Sequence, residues 1–200
     1  MYQFFVKGGP VMWPLLAVSI ATVTVAIERL WFIARELKLR SLADLEDFFA
    51  RLEKKDLDGA LQVGKRSTDF TVRALAYALG HREGSLSNAF LQAAGRELDR
   101  FERGLPLLDT VITLAPLLGL LGTVTGLIHA FGILGDQELQ SPTVLTGGIA
   151  QALLATAFGL VIAVTALVPF NYLNARLEKA RRELEDAGTQ MELLLRREGV

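Results

Sequence analysis

Two long uncharged stretches hold the polar side chains from which any chemistry in this chain is built: Thr113, Thr123 and Thr125 in one, Thr146, Gln151, Thr156 and Thr165 in the other. A hydroxyl or amide that faces hydrocarbon without a partner is costly, so such groups persist where they find one. A single threonine says little, because its hydroxyl can bond the carbonyl one turn back in its own helix. Thr123 and Thr156 say more: each sits on or beside a stripe of small residues, and Gln151 lies about one turn from Thr156 on a nearby face. These three are the candidate lining of a polar pathway. Neither stretch carries Asp, Glu, Lys or Arg at its middle, although a proton pathway needs a titratable group on which the proton can rest. Asp109 stands only at the expected cytoplasmic entrance. His129 stands near the other end, either as an outer-side proton relay or as an interfacial packing residue. If protons pass here, the carboxylate that carries them comes from another chain.

The rest of the sequence offers no competing chemistry. The absence of cysteine excludes disulfides, thiolate metal sites and thiol nucleophiles, and two distant histidines argue against a metal centre. No nucleophile–base pairing or phosphate loop is present, so no catalytic residue, metal or cofactor is expected and an enzyme is the least supported class. With 21 Lys+Arg against 22 Asp+Glu, the net charge of −1 gives no footing for nucleic-acid binding.

The elements that must position the polar groups follow from how charge is segregated. No charge occurs over 8–27, 110–135 or 139–175, and each run reaches the roughly 20 apolar residues that a spanning helix needs. The expected fold is an all-α membrane protein: a periplasmic N-terminus at 1–9, transmembrane helix 1 at 10–33, a cytoplasmic helical domain at 34–105, transmembrane helix 2 at 106–135, a periplasmic loop at 136–143, transmembrane helix 3 at 144–172, and a cytoplasmic C-terminal helix at 173–200 that extends past the third span. Orientation rests on the 13 Lys and Arg between Arg35 and Arg103 and the 6 between Arg176 and Arg197, against none in the 136–143 loop. Span one is expected to stay attached, since Glu28-Arg29-Leu30-Trp31-Phe32 follows it as an interfacial anchor without a small-residue cleavage motif.

Ala115, Gly119, Gly122, Gly126 and Ala130 form a stripe at three- and four-residue intervals, answered by Gly148, Ala152, Ala155, Gly159, Ala163 and Ala166. Small residues at this spacing let helix backbones approach closely in lipid. Pro116 and Pro169 each remove a backbone hydrogen bond within a span and are candidate kinks. In the cytoplasmic segment Ser41 and Ser85 are candidate helix caps, and the second of those helices is expected to run almost unbroken into span two despite Gly104 and Pro106. Leu173, Leu177, Ala180, Leu184, Ala187, Met191 and Leu194 form a helical seam that either docks on the chain's own cytoplasmic domain or joins an inter-subunit bundle.

The run Leu114-Ala115-Pro116-Leu117-Leu118-Gly119-Leu120-Leu121-Gly122-Thr123-Val124-Thr125-Gly126, followed by Gly148-Ile149-Ala150-Gln151-Ala152-Leu153-Leu154-Ala155-Thr156-Ala157-Phe158-Gly159-Leu160, resembles the ExbB/TolQ/MotA proton-channel family. Order, spacing, topology and length support the resemblance; three spans and an outward N-terminus look like ExbB or TolQ, since the MotA branch has four spans, and of the two ExbB is the better fit. The resemblance implies a membrane-embedded homopentamer around an ExbD-like single-span partner whose membrane aspartate carries the proton, coupled to a TonB-like energy transducer that powers outer-membrane transport. It places the family's two pore threonines on Thr123 and Thr156. It also places Gln151 where several members carry a glutamate, and Thr165 where many carry a proline, with Pro169 one turn later. The rival expectations are a TolQ-like envelope-maintenance motor, a sodium-driven stator, and a non-conducting membrane scaffold.

Overall fold

A computed structural model describes residues 8–132 and 142–197, and among them every regular element is an α-helix. The elements are α1 (Met12–Lys38), α2 (Leu42–Glu53), α3 (Leu57–Arg66), α4 (Phe70–Gly80), α5 (Arg82–Glu102), α6 (Leu105–Gly132) and α7 (Pro142–Arg197). The 136–141 part of the expected periplasmic loop lies outside the described residues. Three helices, α1, α6 and α7, hold stretches long and apolar enough to cross a membrane. The chain divides into two compact units, Met1–Glu28 with Gly104–Asn171, and Arg29–Arg103 with Tyr172–Val200.

In the first unit the meeting faces of α6 and α7 are made of small residues, and many large apolar side chains lie outside. Ala115, Ala130, Ala152, Ala155 and Ala166 are buried, whereas Trp13, Ile20, Leu117, Ile128, Val164 and Val168 are exposed. In water that inversion would leave a large apolar surface uncovered; in lipid the hydrocarbon solvates the large side chains, and association depends on close backbone packing. Helices α6 and α7 run on through Pro116 and Pro169.

The second unit is an aqueous helical domain built on capped helices. Ser41 Oγ accepts from Asp44 N at 3.2 Å at the head of α2. Asp56 accepts from Gly59 N at 2.9 Å at the head of α3, and Asp69 from Thr71 N at 2.8 Å at the head of α4. Ser85 has extended backbone (φ −157°, ψ 109°) inside α5, and its Oγ accepts from Asn88 N at 3.3 Å, so it caps the main length of that helix as its sequence position suggests. The core joins Phe48, Phe49 and Leu52 to Val63, Val72, Leu75 and Leu79, and the end of α7 closes it with Ala187, Met191 and Leu195. The apolar seam of α7 therefore docks on its own unit. Its last buried position among the described residues is Leu195, four residues after Met191, while Leu194 packs at the edge.

Buried charge ties this unit together. Asp69, 1% exposed, accepts from Ser41 N at 3.0 Å and Arg40 Nε at 3.1 Å besides its capping bond, and Arg40 also pairs with Glu183. Arg100 bridges Glu36 at 2.6 Å and Glu97 at 2.5 Å, and Glu97 also holds Arg73 at 2.9 Å. Burial opposes the charge on Arg100, but the hydrogen bonds and fields of Glu97 and Glu36 outweigh it and hold the guanidinium above its ordinary value.

One expectation is modified. Helix α5 stops at Glu102; Arg103 leaves the helical region (φ −52°, ψ 130°) and Gly104 is left-handed at φ +84° before α6 begins at Leu105. Positive φ is cheap only for glycine. Pro106 falls in the first turn of α6, where its missing N–H has no helical partner to lose. The two helices are thus separated by a two-residue break that Gly104 makes possible.

Candidate functional site

Helices α6 and α7 are locked by glycine. A Cβ built on Gly119 would lie 2.9 Å from the Thr156 Cα, one on Gly126 3.1 Å from the Ala152 Cβ, one on Gly148 2.5 Å from the Ala130 Cβ, and one on Gly159 2.5 Å from the Ala115 carbonyl oxygen. A Cβ on Gly122 would collide with the Ala155 Cβ. As numbers rise on one helix they fall on the other, so the pair is antiparallel, with both small-residue stripes facing each other.

This register fixes where the polar side chains point. Thr123 follows the seam residue Gly122 and Thr156 follows the seam residue Ala155. In an antiparallel pair, displacement in the same sense from two facing seams lands on the same side, so Thr123 and Thr156 share one side of the α6–α7 pair. Asp109, Thr113 and Pro116 recur with Thr123 at helical spacing and extend that side along α6; Asp109 and Thr113 are exposed, Pro116 and Thr123 partly so. Thr123 Oγ1 donates to Leu120 O at 2.6 Å and Thr113 Oγ1 to Thr110 O at 2.9 Å, both within their own helix. Thr156 differs: its Oγ1 donates across the seam to Gly119 O at 2.9 Å.

Gln151 goes elsewhere. Five residues at about 100° each put it roughly 140° from Thr156, on the opposite flank of the α7 seam. There its side chain lies over Gly9, in the turn before α1: a Cβ on Gly9 would collide with Gln151 Nε2 and sit 3.1 Å from its Cδ. Val11 of the same turn reaches the Gly122 position. The expected nearness of Gln151 to Thr156 does not survive helical geometry, because a separation of five residues is neither of the two spacings, three and four, that share a face. The side holding Gln151 is also the side against which α1 packs. A cavity of about 210 Å³ there is lined by Met12, Leu15 and Thr22 of α1 and by Phe158, Ile162 and Thr165 of α7. Thr165 Oγ1 donates to Val161 O at 2.8 Å and Thr125 Oγ1 to Leu121 O at 2.9 Å, both one turn back. His129 is exposed beside the buried seam residue Ala130.

The arrangement gives one side of a close-packed helix pair two threonine hydroxyls at the seam and, within α6, a single carboxylate, Asp109, just past the first turn. It can solvate or relay a charge but cannot hold a proton between the two threonines. No group of side chains suited to a metal occurs among the described residues. Sequence reasoning missed the Thr156–Gly119 bond and the Gln151–Gly9 contact; the adjacent glycines Gly8 and Gly9 next to Pro10 were the available signal for a turn.

Residues 62–186 match the MotA/TolQ/ExbB proton channel family. A Synechocystis sp. protein described as an ExbB-like biopolymer transport protein is 36% identical over 199 residues, covering 96% of this chain and 78% of the relative. A second protein of that description from the same organism is 32% identical over 196 residues, covering 95% and 92% respectively. The Tol-Pal system protein TolQ of Haemophilus influenzae is 37% identical over 91 residues, 46% of this chain and 40% of its own length. The family match includes Thr123, Gln151 and Thr156.

Proposed function

Because this chain belongs to the MotA/TolQ/ExbB proton channel family, we propose that it is the stationary subunit of an ExbB-type energy transducer in the bacterial inner membrane. Three apolar helices and this membership make it a multi-pass membrane protein of the channel and transporter type. In the proposed assembly, five copies surround the single-span helices of an ExbD-like partner, and the segments rich in Lys and Arg, with the C-terminus, lie in the cytoplasm. The partner's membrane aspartate carries the proton past Thr123 and Thr156. Its charging and neutralisation move the partner helices and, through a TonB-like protein, power outer-membrane transport.

The observation that carries this reading is the side of the α6–α7 pair clear of α1, with Thr123 and Thr156 together on it and no titratable group between them. A hydroxyl pair can solvate a carboxylate that alternates between charged and neutral, whereas a fixed charge there would trap it. Each proton falling through 100 mV supplies about 2.3 kcal/mol, so a few match a conformational step of several kcal/mol.

The test is proton flux in vesicles holding the chain with its partner. Thr123→Val and Thr156→Val keep shape and remove the hydroxyls; each is expected to lower partner-dependent flux by about tenfold or more, a barrier change of ~1.4 kcal/mol, while Thr123→Ser and Thr156→Ser retain it. Unchanged flux in both valine variants would remove the hydroxyls from the pathway. A TolQ-like role in envelope maintenance is the second reading, favoured by the TolQ match over 46% of the chain. Complementation of strains lacking one system or the other separates the two, since the pathway is common to both.

A further inference from the structure

We propose that Gln151 is a positioning residue that pins the turn before α1 against the far flank of the α6–α7 pair, and that it does not itself touch the moving proton. Two observations on different residues carry this. Gly9 is left-handed at φ +76° and its open face is covered by the Gln151 side chain, whose Nε2, Cδ and Cγ are the three nearest atoms to a Cβ placed there. Val11, two residues on and 9% exposed, is the second neighbour of the Gly122 position after Ala155. The turn is closed by Met12 N donating to Gly9 O at 3.1 Å and Trp13 N to Pro10 O at 3.3 Å, and Met12 folds back over Gly8. It therefore touches both helices of the pair, α7 through Gln151 and α6 through Gly122, one residue from Thr123. Held so, the turn fixes the outer end of α1 and backs the seam behind Thr123 and Thr156.

The inference rests on the proposed proton pathway only for its functional arm, and a structural arm stands without it. The chain has no cysteine, so introduced thiols report cleanly. Val11 Cβ lies 3.7 Å from where a Cβ on Gly122 would stand, close to the ~3.8 Å typical of a disulfide. Ala155→Gly removes the atom that blocks it. In the full chain, Val11→Cys/Gly122→Cys/Ala155→Gly is expected to cross-link on oxidation, and to do so at least about fivefold less when Gln151→Ala is added but not when Gln151→Glu is added. As a second measurement with the seam intact, Val11→Cys alone in detergent is expected to react with a polar maleimide about tenfold faster when combined with Gln151→Ala, as local opening predicts. Equal cross-linking and equal labelling with and without Gln151 overturn the pinning role.

In the functional arm, with the partner present, Gln151→Ala lowers proton flux and oxidation of the cysteine pair restores it, reversibly by reductant. Cross-linking without restored flux assigns Gln151 to the pathway and overturns the proposal. Loss of flux in the unmodified chain, with cross-linking intact, instead overturns the proposed function alone.

Discussion

At the scale of single residues, glycines and threonines in the membrane unit are not interchangeable with others of their kind. Gly159 and Gly147 lie on the same helix, yet a Cβ on Gly159 meets the Ala115 carbonyl oxygen at 2.5 Å and one on Gly147 meets nothing within 4 Å. A backbone oxygen cannot rotate away as a side-chain tip can. Gly159→Ala is expected to destabilise the chain by about 1–3 kcal/mol through overpacking. Gly147→Ala is expected to be neutral or to stabilise by about 0.5–1 kcal/mol through reduced backbone freedom of the unfolded chain. Thermal unfolding in one detergent compares the two; similar losses for both would mean that the α6–α7 contact is looser than described. Thr156 shows the same dependence on place: the self-bonding open to any helical threonine describes Thr113, Thr123, Thr125 and Thr165, but the Thr156 hydroxyl is drawn across to Gly119 by a seam with no side chain in the way.

At the scale of elements, the caps of the aqueous unit differ in weight. Ser41 satisfies one backbone N–H at the head of α2, and Ser41→Ala is expected to cost about 1 kcal/mol. Asp69 accepts from two backbone N–H groups at the heads of two helices and from Arg40 while fully buried, so Asp69→Ala leaves three donors short and should cost about 3–5 kcal/mol. Urea or thermal unfolding of the full chain measures both; an Asp69→Ala loss no larger than that of Ser41→Ala would show that water replaces the carboxylate. The caps at Ser41 and Ser85 were legible in the sequence, because a cap is read from the residues that follow it. The weight of Asp69 was not, because beyond its local bond to Thr71 N its other two partners lie 28 and 29 residues away. The α5–α6 break was half legible: Gly104 marked it, but whether a glycine inside a helical pattern adopts positive φ depends on what its flanking helices pack against.

At the scale of the whole molecule, the charge pattern sets an expected orientation. Single cysteines at Lys65→Cys and Thr189→Cys should resist a membrane-impermeant thiol reagent in intact cells and react after lysis, while Gln137→Cys in the 136–143 loop should react in both. Labelling of Lys65→Cys from outside would reverse the topology, and with it the expected place of Asp109 at the cytoplasmic entrance.

By itself the sequence determined three spans, two small-residue stripes, the α7 seam and the candidate hydroxyls, because each follows from local composition or from the 3.6-residue period of a single helix. Only the tertiary structure decided which flank of the seam each polar residue occupies. Thr123 and Thr156 were expected together and share a side; Gln151, expected with them, is turned to Gly9. A helix's period fixes the angle between its own residues, but which angle faces a partner depends on the register of two helices against each other, and that register is set by contacts such as Gly159 with Ala115, far apart in the chain.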